Sequence, residues 1–395
     1  MEERGSAPRG VKGGRIIEMR RNIYVRVLSL MVQADSSFGL PVFIWGPPGI
    51  GKSSTVKQLA DLLGRHIEIV IAGSKDPADV LGIDFIIEDE HLGKISKKIP
   101  PSWAVRALRR LEKGQKTIVF FDELTVAPQM VQNVLLSTIQ DRILGDISLP
   151  YEIYLCAAGN PPEISGETLS QAMANRFFHM FWEYEKETFQ RYLRTGGVKI
   201  RDIAEVNPNY LKKYEELKDL MALYLELNDF AGKGPVNDYR RDKPHPTPRS
   251  VENMLKALSL VSDNDPFRRE MEDIIADGTV GAEGFGFLTW IRKRDELPDV
   301  ESVLRGEVSL PSKRLDIILL FVRELALLYE KNLEVPDFLD KAHKLLESII
   351  TNHFELTVLI ADMFVGIYKK KNIPAHKWFF ENEVFGRYLT QTIWG

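Results

Sequence analysis

The chain has 395 residues, of which 44% are hydrophobic and 27% are charged, and its formal net charge is −4. This composition excludes a mostly disordered, collagenous or coiled-coil protein, and the nearly balanced charge requires neither a nucleic acid nor a membrane as partner. The sequence has no run of about 18 apolar residues, its polar N-terminus does not resemble a secretory signal, and its single cysteine, Cys156, cannot form an internal disulfide. We therefore expect a cytoplasmic protein without a membrane span.

The N-terminal half alternates between short apolar runs and segments with helical spacing of apolar residues. Residues 1–15 are predicted to be a mobile arm, and residues 16–34 an amphipathic helix. The predicted strands lie at residues 41–45, 66–71, 117–121, 153–157 and 177–181, and the predicted helices between them at 52–63 and 128–140. Strands separated by helices predict an α/β fold, with a parallel five-stranded sheet and helices on both faces.

Two stretches depart from this alternation. Residues 76–101 contain two apolar segments around 88–94, which predicts a β-hairpin insert, and a helix is predicted to follow at 102–113. After Trp182 the pattern is helical, apart from a linker at 232–248 that contains four prolines and two glycines. We therefore expect helical domains to follow the sheet.

The sequence GPPGIGKS follows the first predicted strand, opens the next helix and matches the phosphate-loop pattern G-x-x-x-x-G-K-[ST]. Such a loop directs backbone N–H groups at an anion, and the helix N-terminus adds positive potential. Lys52 would place its ammonium on the β- and γ-phosphates of a nucleotide, and Ser53 would ligate Mg²⁺. The competing interpretation is a glycine turn without a ligand. The predicted nucleotide-binding residues are Gly46, Pro47, Pro48, Gly49, Ile50, Gly51, Lys52, Ser53 and Ser54.

Two carboxylates, Asp122 and Glu123, directly follow the predicted strand at 117–121. The carboxyl end of a buried parallel strand is where such sheets bind ligands. Asp122 is predicted to hold Mg²⁺, directly or through water, and Glu123 to orient and polarise the attacking water. An acidic pair at a strand exit is common, but its position downstream of a phosphate loop favours the catalytic interpretation.

The motifs GPPGIGKS, IVFFDEL and AAGNPPE, in this order, resemble those of AAA+ ATPases. The hairpin insert and the downstream sequences NRF and TPRS resemble the MoxR-like, dynein-related branch, over approximately residues 40–260. With this resemblance we divide the chain into a P-loop ATPase core at 1–182, a helical linker and lid at 183–304, and a helical C-terminal extension at 305–395. The resemblance also implies ATP and Mg²⁺ as cofactors and a ring with ATP at the subunit junctions.

The same resemblance assigns roles to three more residues. Asn160, which ends IYLCAAGN, matches the sensor I position, whose amide would hold the attacking water or the γ-phosphate. Arg176, in ANRF, matches an arginine finger that reaches the neighbouring subunit's site. Arg249, in PTPRS, matches the sensor II arginine and would contact the γ-phosphate of its own chain. For Asn160 the competing interpretation is an Asn-Pro turn. For Arg176 it is a surface salt bridge, and for Arg249 a helix-start arginine without a ligand.

Other basic and aromatic residues are weaker candidates. Arg142 is predicted to lie at a solvated helix end, with contact to the next subunit as the alternative. A basic cluster in region 94–113 would be a solvated or inter-subunit face, or else would touch an acidic partner or nucleic acid. Its members are Lys94, Lys97, Lys98, Arg106, Arg109, Arg110 and Lys113. Aromatic residues near the C-terminus are expected to dock onto the body of the protein rather than to form a partner surface. These residues are Trp378, Phe379, Phe380, Phe385, Tyr388 and Trp394.

Together these features predict an ATP-hydrolysing, ring-forming homo-oligomer, expected to be hexameric, that remodels or matures a protein partner. The resemblance adds a von Willebrand-type protein as one such partner. Two alternatives stay open: an ATP-gated switch whose hydrolysis only resets it, and a DNA-acting motor or loader that uses the basic region. Nucleic acid is the less favoured partner, and no membrane is expected to be bound.

Overall fold

The computed structural model describes residues 11–91, 93–165, 167–196, 200, 202–228, 243–310, 314–382 and 385–386. The chain divides into two compact units, Met1–Leu288 and Thr289–Gly395. Several predictions fall outside the described residues. They are those for residues 1–10, for most of the linker at 232–248, and for Tyr388 and Trp394.

The first unit contains all the strands that the described residues form. They are β1 Val42–Trp45, β2 His66–Ile71, β3 Ile83–Asp89, β4 Gly93–Ile99, β5 Thr117–Asp122, β6 Ile143–Leu144, β7 Ile147–Ser148, β8 Ile153–Gly159 and β9 Phe178–Phe181. The helices that begin in this unit are α1 Val11–Gln33, α2 Lys52–Leu62, α3 Pro77–Leu81, α4 Ser102–Glu112, α5 Gln129–Asp141, α6 Pro162–Ser165, α7 Gln171–Ala174, α8 Lys186–Thr195, α9 Tyr210–Leu227, α10 Pro248–Leu260, α11 Arg268–Val280 and α12 Gly284–Arg292.

Five strands form one sheet in the order β2-β5-β8-β1-β9, and every neighbouring pair is parallel. The predicted five-stranded parallel sheet is therefore confirmed. All side chains of β1 and β8 are buried. Because successive side chains of a strand point to opposite faces, this burial means that both faces of the sheet are covered at these strands.

The strand order brings distant parts of the sequence to one edge of the sheet. β8 lies between β5 and β1, and Trp45 at the end of β1 is in register with Gly159 at the end of β8. The loops that follow β1, β5 and β8 therefore leave the same edge side by side. A ligand bound at this edge would contact all three.

The predicted hairpin insert is confirmed as the antiparallel pair β3–β4, in which Ile83 lies opposite Ile99. A second, unpredicted hairpin, β6–β7, has strands of two residues each, which are too short for a periodic pattern to show. The two hairpins are joined by a hydrogen bond, in which the backbone N–H of Lys98 donates to Asp146 Oδ2 at 2.8 Å.

Helix α1 begins earlier than expected. Residues 11–15, which the sequence predicts to belong to the mobile arm, are helical. The helix is anchored by a buried stretch that includes Val27, Leu28 and Met31. Once a helix is nucleated, each further residue adds a backbone hydrogen bond at low entropic cost, so the helix extends through a segment without apolar periodicity.

The second unit is helical. Its helices are α13 Val300–Leu304, α14 Leu315–Lys331, α15 Pro336–Asn352, α16 Thr357–Lys371 and α17 Trp378–Glu381. None of the helices that the structure describes has by itself the length and hydrophobicity to cross a membrane. One bent pair, Pro336–Asn352 with Phe354–Lys371, reaches these criteria only when the two are taken together.

The core of the second unit is built around Tyr329, which is fully buried. The C-terminal aromatic residues Phe379 and Phe385 are also fully buried in this core, so their predicted docking is confirmed. The same prediction is wrong for Phe380, which is 51% exposed. Phe379 and Phe380 are neighbours on α17, and a short helix that buries one side must expose the other.

Candidate functional site

A cleft of about 310 Å³ lies where the loops after β1, β5 and β8 meet. Its lining is formed by Pro48, Gly49, Gly51, Lys52, Ser53, Ser54, Asp122, Glu123, Gly159 and Asn160. The cleft therefore brings together most of the predicted phosphate loop, the predicted carboxylate pair and the predicted sensor asparagine. Of the remaining loop residues, Gly46 and Pro47 contribute carbonyl oxygens to the site.

The phosphate loop has the geometry of an anion site. Gly49 and Gly51 have φ angles of +78° and +93°, in the left-handed region that favours glycine. Gly51 is the N-cap of α2, and no described side chain caps the first turn of this helix. The N–H groups at the start of α2 are therefore available to an anion, and the helix dipole adds positive potential there.

Lys52 is the buried cation of the cleft, with only 8% of the residue exposed. Its ammonium donates to the carbonyl oxygens of Gly46 at 2.6 Å and Pro47 at 3.1 Å, and to Asn160 Oδ1 at 3.2 Å. Burial lowers the pKa of Lys52, while the charges of Asp122 and Glu123 raise it. A buried ammonium held by neutral oxygens is prepared to exchange them for charged acceptors such as phosphate oxygens.

Ser53 and Asp122 form a pair of hard oxygen donors. The hydroxyl of Ser53 donates to Asp122 Oδ2 at 2.6 Å. Mg²⁺ prefers oxygen ligands and is commonly held by one or two protein groups together with substrate phosphates. The described residues contain no cluster of three or more His, Cys, Asp or Glu side chains that could hold a metal ion. This donor set therefore fits a magnesium ion that arrives with a nucleotide.

Glu123 has an unusual backbone conformation, with φ 58° and ψ 34°. Its N–H donates to Asp122 Oδ1 at 3.0 Å, and the 3₁₀ turn Leu124–Val126 begins directly after it. The left-handed conformation ends β5 abruptly and turns the chain, so the exposed side chain of Glu123 lines the cleft. Its carboxylate thus lies beside the phosphate loop, where its charge acts on Lys52.

Asn160 lies at the end of β8, and its side chain faces the loop. Its Oδ1 accepts the hydrogen bond from Lys52, so the amide is part of the cleft and not only of an Asn-Pro turn. The amide therefore contacts the group that would bind the terminal phosphates. Its role as a sensor of the nucleotide stays a prediction.

Arg176 and Arg249 are neighbours, but neither is among the described residues that line the cleft. Burial lowers the pKa of Arg176, and the charge of Arg249 lowers it further. The segments that carry the two arginines are joined, because the Thr247 hydroxyl donates to Asn175 Oδ1 at 3.1 Å. The structure thus places the two predicted arginines near each other and outside the described lining of the cleft.

Arg142 is held by carbonyl oxygens of its own chain, contrary to the expectation of a solvated helix end, and its contact with a next subunit stays a prediction. It ends α5 with φ 60°, and its guanidinium donates to the carbonyl oxygens of Leu149 at 3.2 Å and Pro150 at 2.5 Å, and to that of Ile153. Burial lowers its pKa to about 10. The three carbonyl acceptors lie on the segment that leads into β8, so Arg142 fixes this segment and has a structural role.

Two members of the basic cluster are paired within the chain. Arg106 Nε donates to Glu68 Oε1 at 3.0 Å, and Lys98 forms an ion pair with Asp84 at 3.2 Å. These pairs take up part of the positive charge that an acidic partner or nucleic acid would need.

A buried histidine connects the phosphate-loop strand to α7, and the sequence did not indicate this role. Trp45 Nε1 donates to His179 Nδ1 at 2.7 Å, and His179 Nε2 lies 2.8 Å from the carbonyl oxygen of Ala174. Trp45 directly precedes the phosphate loop, and Ala174 lies two residues before Arg176. The only sequence signal was a polar residue within the apolar strand FHMF.

The chain is similar to several known proteins. A profile of the AAA domain, dynein-related subfamily, matches residues 41–177. A Lon protease homolog of Acanthamoeba polyphaga mimivirus is 26% identical over 109 residues, which are 27% of this chain and 10% of the length of that protein. A crystal structure of a candidate ATPase from Cytophaga hutchinsonii is 17% identical, with a TM-score of 0.37, over 74% of this chain and 88% of that one. A full-length MCM homolog from Methanopyrus kandleri is 18% identical, with a TM-score of 0.33, over 69% and 56% of the two chains.

Proposed function

We propose that this chain, whose residues 41–177 match the profile of the AAA domain of the dynein-related subfamily, binds ATP in the cleft and hydrolyses it to ADP and phosphate. One observation carries the proposal. A single cleft combines a helix start, the buried ammonium of Lys52, the Ser53–Asp122 pair and the separate carboxylate of Glu123. These are the parts that phosphoryl transfer to water needs.

Phosphate binding falls to the loop and to Lys52. The backbone N–H groups at the start of α2 would receive the β-phosphate, and Lys52 would exchange the carbonyl oxygens of Gly46 and Pro47 for phosphate oxygens. The same exchange would release Asn160 Oδ1 from Lys52. The amide of Asn160 would then be available to the γ-phosphate or to the attacking water.

Ser53 and Asp122 would hold the magnesium ion, Ser53 by its hydroxyl oxygen and Asp122 directly or through water. When bound, the ion neutralises charge on the β- and γ-phosphates. Because the hydroxyl of Ser53 currently donates to Asp122, that bond would open so that both oxygens can face the ion.

Glu123 would act on the attacking water. Its carboxylate would accept a hydrogen bond from the water and orient the water oxygen toward the γ-phosphorus. As the new P–O bond forms, the bond from the γ-phosphorus to the bridging oxygen breaks, so ADP leaves with that oxygen. The proton of the water passes to Glu123 or to a phosphate oxygen. Lys52 would stabilise the charge that develops on the phosphate oxygens.

We also propose that the chain forms a ring of the MoxR-like type, which the resemblance implies to be hexameric. In this ring Arg176 and Arg249 would reach the site of the neighbouring subunit. Arg176 and Arg249 lie together outside the cleft of their own chain, which supports a shared target on the neighbouring subunit. The charges of the two guanidinium groups repel each other, and phosphate oxygens are acceptors that suit such a pair. For Arg249 this differs from the initial expectation of a contact with its own nucleotide.

We further propose that hydrolysis drives work on a protein partner in the cytoplasm. The hairpin β3–β4 supports a protein client, because Ile83, Phe85 and Ile86 are each more than half exposed. A DNA-acting role is less favoured, since Lys98 and Arg106 already engage carboxylates of this chain. A von Willebrand-type partner would be one protein of the required kind.

Replacement of the water-orienting carboxylate tests the proposal. Glu123→Gln keeps the shape of the side chain and removes its basicity, so we expect steady-state ATP turnover to fall by about 100-fold or more while ATP still binds. The control is Glu112→Gln, an exposed glutamate at the end of α4, which should keep the parental turnover. Hydrolysis at the parental rate by Glu123→Gln would refute the proposed role. Normal partner output from the non-hydrolysing variant would favour a switch over a motor.

A further inference from the structure

The 3₁₀ turn Leu124–Val126 is the anchor from which the Glu123 side chain projects. Leu124 and Thr125 are essentially fully buried, whereas the Glu123 side chain is exposed. A left-handed conformation at a residue other than glycine persists only where the surroundings hold it. The direction of the carboxylate is therefore set by the backbone of Glu123, and so by whatever fixes the turn that follows.

One side of the turn rests on Gly73, which lies in the 3₁₀ turn that follows β2. A Cβ atom at Gly73 would lie 2.7 Å from Val126 Cγ2, 3.4 Å from the carbonyl oxygen of Glu123 and 3.5 Å from its carboxylate Oε2. Since Gly73 does not have a positive φ angle, glycine is required here by space and not by conformation. The missing side chain lets the turn approach β2 closely.

The opposite side of the turn rests on Gly159, at the end of β8. A Cβ atom at Gly159 would lie 2.8 Å from Thr125 Oγ1 and 2.9 Å from Phe43 Cζ. β8 and β2 lie on either side of β5, the strand that leads into Glu123. Gly159 on β8 and Gly73 in the 3₁₀ turn after β2 thus leave room for the same turn.

We propose that Gly73 and Gly159 form a seat for the turn Leu124–Val126 and that the seat positions the Glu123 carboxylate for hydrolysis. The inference rests on the proposed function, and Gly73 is a positioning residue that acts through Glu123, whereas Gly159 also lines the cleft. A methyl group at Gly73 would displace Val126 and, with it, the turn. The nucleotide would still bind, because Gly73 does not belong to the described lining of the cleft.

The test is steady-state ATP hydrolysis by Gly73→Ala, by Val126→Ala and by the double variant. We expect Gly73→Ala to lower kcat by about tenfold or more with KM for ATP within about twofold, since positioning for chemistry is affected and binding is not. In the double variant, loss of Val126 Cγ2 makes room for the new methyl group, so kcat should recover to within about threefold of the Val126→Ala value. Gly366→Ala is the control, because a Cβ there meets nothing within 4 Å and kcat should not change.

The outcomes separate the two proposals. A parental protein that does not hydrolyse ATP contradicts the proposed function itself. If the parental protein is active, the seat is refuted by a normal kcat in Gly73→Ala, by an equal loss of binding and kcat, or by a folded double variant that stays inactive. Should Gly73→Ala fail to fold, the double variant alone decides, because it retains the glycine replacement with the clash removed. A Glu123→Gln background, in which Gly73→Ala should cause no further loss, gives an independent check.

Discussion

At the scale of single residues, His179 shows how two neighbours fix one protonation state. The indole of Trp45 can only donate a hydrogen bond, and the carbonyl oxygen of Ala174 can only accept one. His179 must therefore accept at Nδ1 and donate from Nε2, which is the neutral form. Burial lowers its pKa to about 4, in agreement with this assignment.

The histidine predicts a pH dependence of stability. In the unfolded chain His179 takes up a proton near pH 6.5, but in the folded protein it does so only near pH 4. As the pH falls through this window the unfolded state binds more protons, so stability is lost, by on the order of 3 kcal/mol in total. Unfolding by denaturant between pH 7 and 4 measures this loss. His179→Gln should show a smaller decline than the parental protein, and an equal decline would contradict the prediction.

The residues of the site differ in how far the sequence could predict them. Lys52, Ser53 and Asp122 were predictable because phosphate chemistry demands these groups at fixed local spacings from strand ends. Gly73 and His179 were not, since their roles depend on contacts with residues far away in the chain, such as Val126 and Trp45. Only the packed fold shows such contacts.

At the scale of elements, the start of α10 connects the helical region to the arginine pair. Thr247 and Ser250 form a capping box, in which the Thr247 hydroxyl accepts from the N–H of Ser250 at 3.1 Å and the Ser250 hydroxyl accepts from the N–H of Thr247 at 2.8 Å. The Thr247 hydroxyl also donates to Asn175, next to Arg176. One side chain therefore holds both the helix that carries Arg249 and the segment that carries Arg176.

Removal of this cap is expected to affect stability and turnover together. Thr247→Ala should cost about 1 kcal/mol of unfolding free energy, as for other N-caps, and should lower ATP turnover several-fold because both arginines lose their support. Denaturant unfolding and a steady-state assay measure the two effects. Asp299→Ala removes the corresponding cap of α13 in the second unit and should leave turnover unchanged. Parental turnover in Thr247→Ala would show that the junction does not position the arginines.

Elements were predictable in proportion to their length and periodicity. The sheet strands and the helices α2, α4 and α5 carry clear patterns and were found within a few residues of their predicted ends. The hairpin β6–β7 was missed because two-residue strands have no period. Arg142 was misjudged because its position at a helix end suggested solvent, whereas its acceptors are carbonyl oxygens that only the folded chain brings together.

At the scale of the whole molecule, the account requires that one subunit completes the site of another. A mixture of two inactive variants tests this. Lys52→Ala lacks the phosphate-binding ammonium, and Arg176→Ala lacks the proposed finger but keeps an intact cleft. In mixed rings, about a quarter of the sites would pair an intact loop with an intact neighbouring arginine, so we expect turnover to reappear on mixing. Turnover of the parental protein should also rise more than linearly with its concentration. No recovery on mixing, together with a linear concentration dependence, would contradict a shared site.

The most direct test of the central claim, that the cleft binds a nucleoside triphosphate through Lys52, is isothermal titration calorimetry. A slowly hydrolysed ATP analogue with Mg²⁺ would be titrated into the parental protein and into Lys52→Ala. We expect saturable binding to the parental protein at about one nucleotide per chain, and binding at least about 100-fold weaker to Lys52→Ala. Absence of binding to the parental protein, or equal affinity for the two proteins, would contradict it.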